Sequence, residues 1–172
     1  TVPTFGADPC YVANNGREVL TATYSGGTMS VFPLQKDGTL APADTLFQGS
    51  ATGPDAIRQA TPHIHCTVFS PDGKYIFATD FSADRILRFV MHPEKPIPHA
   101  SLEAVGIEAD SGPRHLTFSP NGKFAYLITE LSGKGIAFRY DDGCLEQIQT
   151  ITADTVAARG SADIHLSPDG KY

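Results

Sequence analysis

The chain has 172 residues, enough for one ordinary domain that buries roughly 70% of its unfolded surface. Hydrophobic residues make up 41% and charged residues 19%, with 16 glycines and 13 prolines; that is too many chain breakers for a helical bundle and too much hydrophobicity for disorder. A formal charge of −6 without a basic stripe argues against nucleic acid as a partner, and no apolar run approaches the roughly 18 residues of a membrane span.

In chain order, the opening residues read as the tail of a preceding unit, and a hairpin then turns at Asn15-Gly16. A third run, Thr28 to Leu34, and a more polar fourth, Leu40 to Gln48, complete the first unit, and a polar insertion from Gln48 to about Ala60 follows. Next comes His65-Cys-Thr-Val-Phe-Ser-Pro-Asp-Gly-Lys-Tyr-Ile-Phe-Ala-Thr-Asp80, which returns as Arg114-His-Leu-Thr-Phe-Ser-Pro-Asn-Gly-Lys-Phe-Ala-Tyr-Leu-Ile-Thr-Glu130. It begins again at Asp163-Ile-His-Leu-Ser-Pro-Asp-Gly-Lys-Tyr172. The turn glycines Gly73, Gly122 and Gly170 are 49 and 48 residues apart, and Gly16 lies 57 before Gly73. Each unit reads as four short strands: an apolar run, a Pro-Asp/Asn-Gly turn, a second run (Tyr75 to Thr79, Phe124 to Thr129), a third (Arg85 to Met91, Gly135 to Tyr140) and a polar fourth (Leu102 to Ile107, Leu145 to Thr152).

Four strands in about 48 residues is the period of a propeller blade, and a two-sheet sandwich repeats no motif at fixed spacing. The expected fold is therefore all-β, a β-propeller with four-stranded blades around residues 8–50, 61–108 and 112–152 and the start of another at 161–172. Because the last inner run has no following strand and a propeller usually needs at least four blades, the chain is expected to be a fragment of about three and a half. Cys10, Cys66 and Cys144, odd in number and widely spaced, are expected to be buried free thiols in a reducing, cytoplasmic setting.

In a blade, the start of the first strand and the end of the second meet at the end opposite the turn. His63, His65, Arg114, His115, Asp163 and His165 open first strands, whereas Tyr24, Asp80 and Glu130 close second strands. All nine are expected to ring one mouth of the central channel, a site suited to acid–base chemistry and anion binding. His63 and His65 share a strand face that could suit a metal, but no carboxylate or cysteine completes a known spacing, so neither metal nor cofactor is expected. Asp80, Asp84 and Arg85 read as a structural turn or a salt bridge between blades, the Ser-Pro-Asp-Gly turns as hairpin chemistry, and His92 and His99 as solvated.

The stretch from Thr61 to Phe77, with Asp80 to Arg85, resembles the seven-bladed propeller lactonase family, which includes the propeller-type 6-phosphogluconolactonases and the carboxymuconate cyclases. Gly112-Pro-Arg-His-Leu-Thr-Phe-Ser-Pro-Asn-Gly-Lys-Phe-Ala-Tyr and Glu130-Leu carry the most specific likeness. Ala162-Asp-Ile-His-Leu-Ser-Pro-Asp-Gly-Lys is similar to the family's next blade, and Tyr24-Ser-Gly-Gly-Thr-Met-Ser-Val-Phe-Pro-Leu, with Asp37-Gly-Thr-Leu, to an earlier one. The resemblance implies seven blades and a full length about twice this one.

It further implies a catalytic histidine at His65, with His63 as the close rival, an arginine at Arg114 and a glutamate at Glu130. A further family arginine would fall beyond Tyr172, so the resemblance implies that the site is completed by missing blades and that the chain alone is inactive. The family often has Glu where this sequence has Asp163. The implied reaction is cofactor-free hydrolysis of an anionic sugar lactone such as 6-phosphogluconolactone, with Glu130 or His65 as general base and Arg114 on the anion or oxyanion. His63, His115, Asp163, His165 and Tyr24 would contact substrate. A lactone-forming cyclase acting on a dicarboxylate and a non-catalytic binding scaffold are the alternatives.

Overall fold

The structure, a computed structural model, describes residues 1–92 and 102–172. Twelve strands form three four-stranded antiparallel sheets, each a simple meander. The first comprises β1 (Pro9–Asn14), β2 (Glu18–Thr23), β3 (Thr28–Pro33) and β4 (Thr45–Gln48). The second comprises β5 (Ile64–Phe69), β6 (Tyr75–Asp80), β7 (Arg85–Val90) and β8 (Leu102–Gly106). The third comprises β9 (Pro113–Phe118), β10 (Phe124–Thr129), β11 (Lys134–Asp141) and β12 (Cys144–Thr152). Inner strand β5 lies against both β1 and β9, so the sheets are three neighbouring blades of a β-propeller.

Strand alternation builds the two inter-blade cores. On β6, Ile76 and Ala78 face the first blade and pack with Leu20, Met29 and Phe89, whereas Phe77 faces the third and packs with Leu116, Leu127 and Phe138. A sheet buried on both faces needs apolar residues at successive positions, hence the nearly continuous apolar run of β6. The outer strand β12 is exposed along all its length except Leu145, as its polar composition requires.

The repeated turn has one hydrogen-bond plan. Ser70 Oγ donates to Asp72 and accepts from the Tyr75 N–H, and Gly73, at φ +69°, donates its N–H to the Ser70 carbonyl. Ser119 and Ser167 make the same bonds in their own turns. Around 161–172 the turn forms without a flanking strand.

Three expectations are corrected. The run from Leu40 to Gln48 is a strand only from Thr45, because the Ala41 N–H turns back to the Pro33 carbonyl and Pro42 has no N–H for a ladder. Of the three free cysteines only Cys66 is buried; Cys10 is half-buried, and Cys144, beside the tight turn at Asp142-Gly143, is exposed. Asp80 is fully buried away from the mouth, where it accepts from Arg85 Nε and the Ala83 N–H. His92 is exposed, and His99 lies outside the described residues.

Candidate active site

The inner strand of every blade carries a one-residue register shift at the same place. In β1 the pairing steps from Pro9 to Tyr11, in β5 from Ile64 to Cys66, and in β9 from Pro113 to His115. The skipped residues are Cys10, His65 and Arg114. Such a bulge inserts one residue and re-aims its side chain, which strict alternation would send into an inter-blade core. All three line one cavity of about 400 Å³ with Tyr24, Arg58, His115 and Glu130; Asp8 and Pro9 complete its rim.

Thr79 fills the gap that the His65 bulge leaves in the ladder. Its fully buried hydroxyl accepts from the Cys66 N–H (2.9 Å) and donates to the Arg114 carbonyl (2.8 Å), tying one bulge to the next. Glu130, just past β10, is placed by its N–H donating to the carbonyl of Gly112 (2.8 Å), whose own N–H donates to Asp84. The Asp84 carboxylate collects the N–H groups of Asp110, Ser111 and Gly112, which accounts for Asp84 as an inter-blade joint.

Glu130 is the hub of the site. Arg114 Nε donates to its Oε2 (2.9 Å), Arg58 Nη2 donates to its Oε1, and His65 Nε2 stands 3.9 Å from Oε2. Burial, reinforced by the positive charge of Arg114, pushes the His65 imidazolium pKa down to about 4, so the ring is neutral at physiological pH. His65 Nδ1 is buried without a hydrogen-bond partner among the described residues. The His115 ring lies edge-on to His65 with centroids 5.2 Å apart, and its pKa is pushed down by burial. His115 Nδ1 meets Asp163 Oδ1 at 2.6 Å, a bond that holds the Asp163 carboxyl at about 2.

Thus His65, Arg114, Glu130, His115 and Tyr24 come together at the cavity. His63 sits behind it: its ring stacks on Tyr24 at 4.0 Å, and its nitrogens meet the Tyr24 carbonyl and the Thr61 hydroxyl. His165 is exposed and, among the described residues, reaches the cluster through Asp163. No three His, Cys, Asp or Glu side chains among the described residues converge as metal ligands.

Arg58 is the residue that sequence reasoning missed. It sits in the polar insertion, whose composition reads as solvated loop. The missed signal was Asp55 three residues ahead, an Asx cap whose Oδ1 accepts the N–H groups of Ile57 and Arg58. Gln59, fully buried, pins the loop by donating to the Phe81 carbonyl (2.9 Å) and accepting from the Asp55 N–H.

Comparison with known proteins agrees with this architecture. Residues 1–172 match the sequence model of the family described as lactonase, seven-bladed β-propeller. A 6-phosphogluconolactonase of Bacillus subtilis is 34% identical, over 97% of this chain and 49% of its own length. A Bacteroides uniformis protein, whose crystal structure bears the provisional name 6-phosphogluconolactonase, is 96% identical over 99% of this chain and 50% of its own, with a TM-score of 0.94. The periplasmic gluconolactonase of Pseudomonas aeruginosa is 36% identical over 98% of this chain and 50% of its own, with a TM-score of 0.84. The chain spans about half the length of these relatives. Three bulged inner strands around one mouth, together with these matches, make the chain a member of the seven-bladed β-propeller lactonase family.

Proposed function

We propose that the protein hydrolyses a sugar lactone, 6-phosphogluconolactone to 6-phosphogluconate, by acid–base chemistry that needs no metal. The observation that carries this reading is a buried, neutral His65 beside a carboxylate held between two guanidinium groups, at a solvent-open cavity. Both Glu130 oxygens are engaged by arginine donors, which leaves His65 as the general base.

His65 Nε2 takes a proton from water as its oxygen bonds to the ring carbonyl carbon. The resulting imidazolium is stabilised by the charge of Glu130, whose Oε2 lies 3.9 Å from that same nitrogen. Arg114 faces the developing oxyanion, a kind of contact that contributes about 10²–10³ in rate where it is preorganised. The tetrahedral intermediate then expels the ring oxygen, which receives the proton from His65, and the new carboxylic acid ionises. General base catalysis of this kind contributes about 10²–10⁴-fold.

The test follows proton release by the intact protein on 6-phosphogluconolactone against the spontaneous blank, with and without EDTA. Fast, EDTA-insensitive release that His65→Ala, Arg114→Ala and Glu130→Ala each abolish is the expected outcome. Activity surviving all three changes overturns the assignment, and release lost to EDTA overturns the metal-free mechanism.

A further inference from the structure

Arg58 enters the site from outside the repeat. No blade period places it, yet its guanidinium reaches the hub carboxylate of the third blade, 72 residues away. Its Nη2 serves Glu130 and the Tyr24 hydroxyl, and its cation lies 5.5 Å from the centre of the Phe81 ring. Nε and Nη1 have no hydrogen-bond partner among the described residues, and the side chain is 38% exposed at the cavity against 22% for Arg114. Arg114, by contrast, divides its donors among Glu130, the Ala162 carbonyl and His115.

At Glu130 itself one positive charge is in excess, which over the whole lining Asp8 offsets. Two guanidinium groups face one carboxylate at Glu130, and the nearby His65 is neutral. The other carboxylate on the cavity, Asp8, sits at the rim, hydrogen-bonded to Ser25. Nε and Nη1 share no open edge of the guanidinium, so each is placed to donate singly to an anion such as a phosphate.

The loop is also held for a purpose beyond its own packing. Arg159, beyond β12, grips Asp110 through both Nη atoms and reaches Asp55 Oδ2 at 2.8 Å. Asp55 in turn caps the backbone at Arg58. The clasp joins three segments and fixes where the Arg58 stem leaves the loop.

We infer that Arg58 is a specificity-determining residue that binds the phosphate group of a phosphorylated sugar lactone, while Arg114 stays with the reacting carbonyl. The substrate class rests on the lactonase reading above; the phosphate contact does not.

The experiment compares kcat and KM of the intact protein on 6-phosphogluconolactone and on unphosphorylated glucono-δ-lactone, for wild type, Arg58→Ala and Arg58→Lys. A charge-assisted contact to a dianion predicts that Arg58→Ala lowers kcat/KM for the phosphorylated substrate by about 10- to 100-fold more than for the other, mainly through KM. Arg58→Lys is expected to recover part of that difference. In parallel, inorganic phosphate is titrated while thermal stability is followed; the wild type is stabilised and Arg58→Ala is not. Equal losses on both lactones, with phosphate stabilisation unchanged, overturn the proposal and leave the lactonase reading intact. Arg58-dependent stabilisation by phosphate without turnover of either lactone overturns the lactonase reading and keeps the phosphate site.

Discussion

Replacing Thr79 by valine tests whether the side chains proposed as catalytic are placed by the bulges. The substitution conserves shape and removes only the hydroxyl. Two bonds go with it, at 2.9 Å from the Cys66 N–H and 2.8 Å to the Arg114 carbonyl, in a site with no solvent access. A buried backbone group left unpaired costs about 1–3 kcal/mol, so the pair should cost about 2–6 kcal/mol. The two bulges also lose the strut that joins them, so His65 and Arg114 drift relative to each other and turnover falls with stability. Denaturant unfolding gives the first quantity and the lactone assay the second. Thr79→Ser is the control: it keeps both bonds and should lose only about 1 kcal/mol, for a buried methyl group. A Thr79→Val protein within 0.5 kcal/mol of wild type, by the ~1 kcal/mol net scale of a typical hydrogen bond, would refute the strut.

Gly112→Ala should be among the most damaging single changes. Its φ of +60° disfavours a side chain, and an added Cβ would lie 2.7 Å from Phe81 and 2.8 Å from Leu131, both buried. A loss of at least about 3 kcal/mol is expected in thermal or chemical unfolding, because strain and overpacking add. His65 predicts an acid-side loss of stability. Its native pKa of about 4 lies below the unfolded value of 6.5, so the unfolded chain binds the extra proton and stability falls as pH drops from 6.5 to 4. The full effect is about 3 kcal/mol and should vanish in His65→Gln; an equally steep pH dependence in that variant would remove His65 as its source. The same shift predicts that kcat/KM holds level down to about pH 5 and then declines toward an apparent pKa near 4, where an ordinary histidine would turn over near 6.5. Tyr24→Phe removes the hydroxyl that Arg58 contacts at 3.3 Å and should raise KM by no more than about tenfold, the scale of one hydrogen bond.

The repeat made the blades legible. Ser-Pro-Asp-Gly at fixed spacing marks a turn that needs a serine hydroxyl, an Asx acceptor and a glycine at positive φ, all of them local requirements, and the strands on either side follow from alternation and length. That period also brought His65, Arg114 and Glu130 to one end, because repeated units place equivalent residues alike. Two residues depart from that equivalence. Asp80 looked equivalent to Glu130, but pairing with Arg85 within its own blade turned it inward. His165, which looked equivalent to the other histidines, is exposed and bonds Asp163.

What the sequence determined by itself is everything set within one unit: turn, strand length, outer polarity and the order of the blades. Tertiary structure alone decided which side chains touch. The one-residue bulges that aim Cys10, His65 and Arg114 into the cavity leave no composition signal, since a bulge is a difference in pairing between two strands. Arg58 meets Glu130 only because its loop is pinned by Gln59 against a neighbouring segment and clasped by a residue 104 positions beyond Asp55. Contacts of that kind depend on where separate elements come to rest, and no local pattern encodes them.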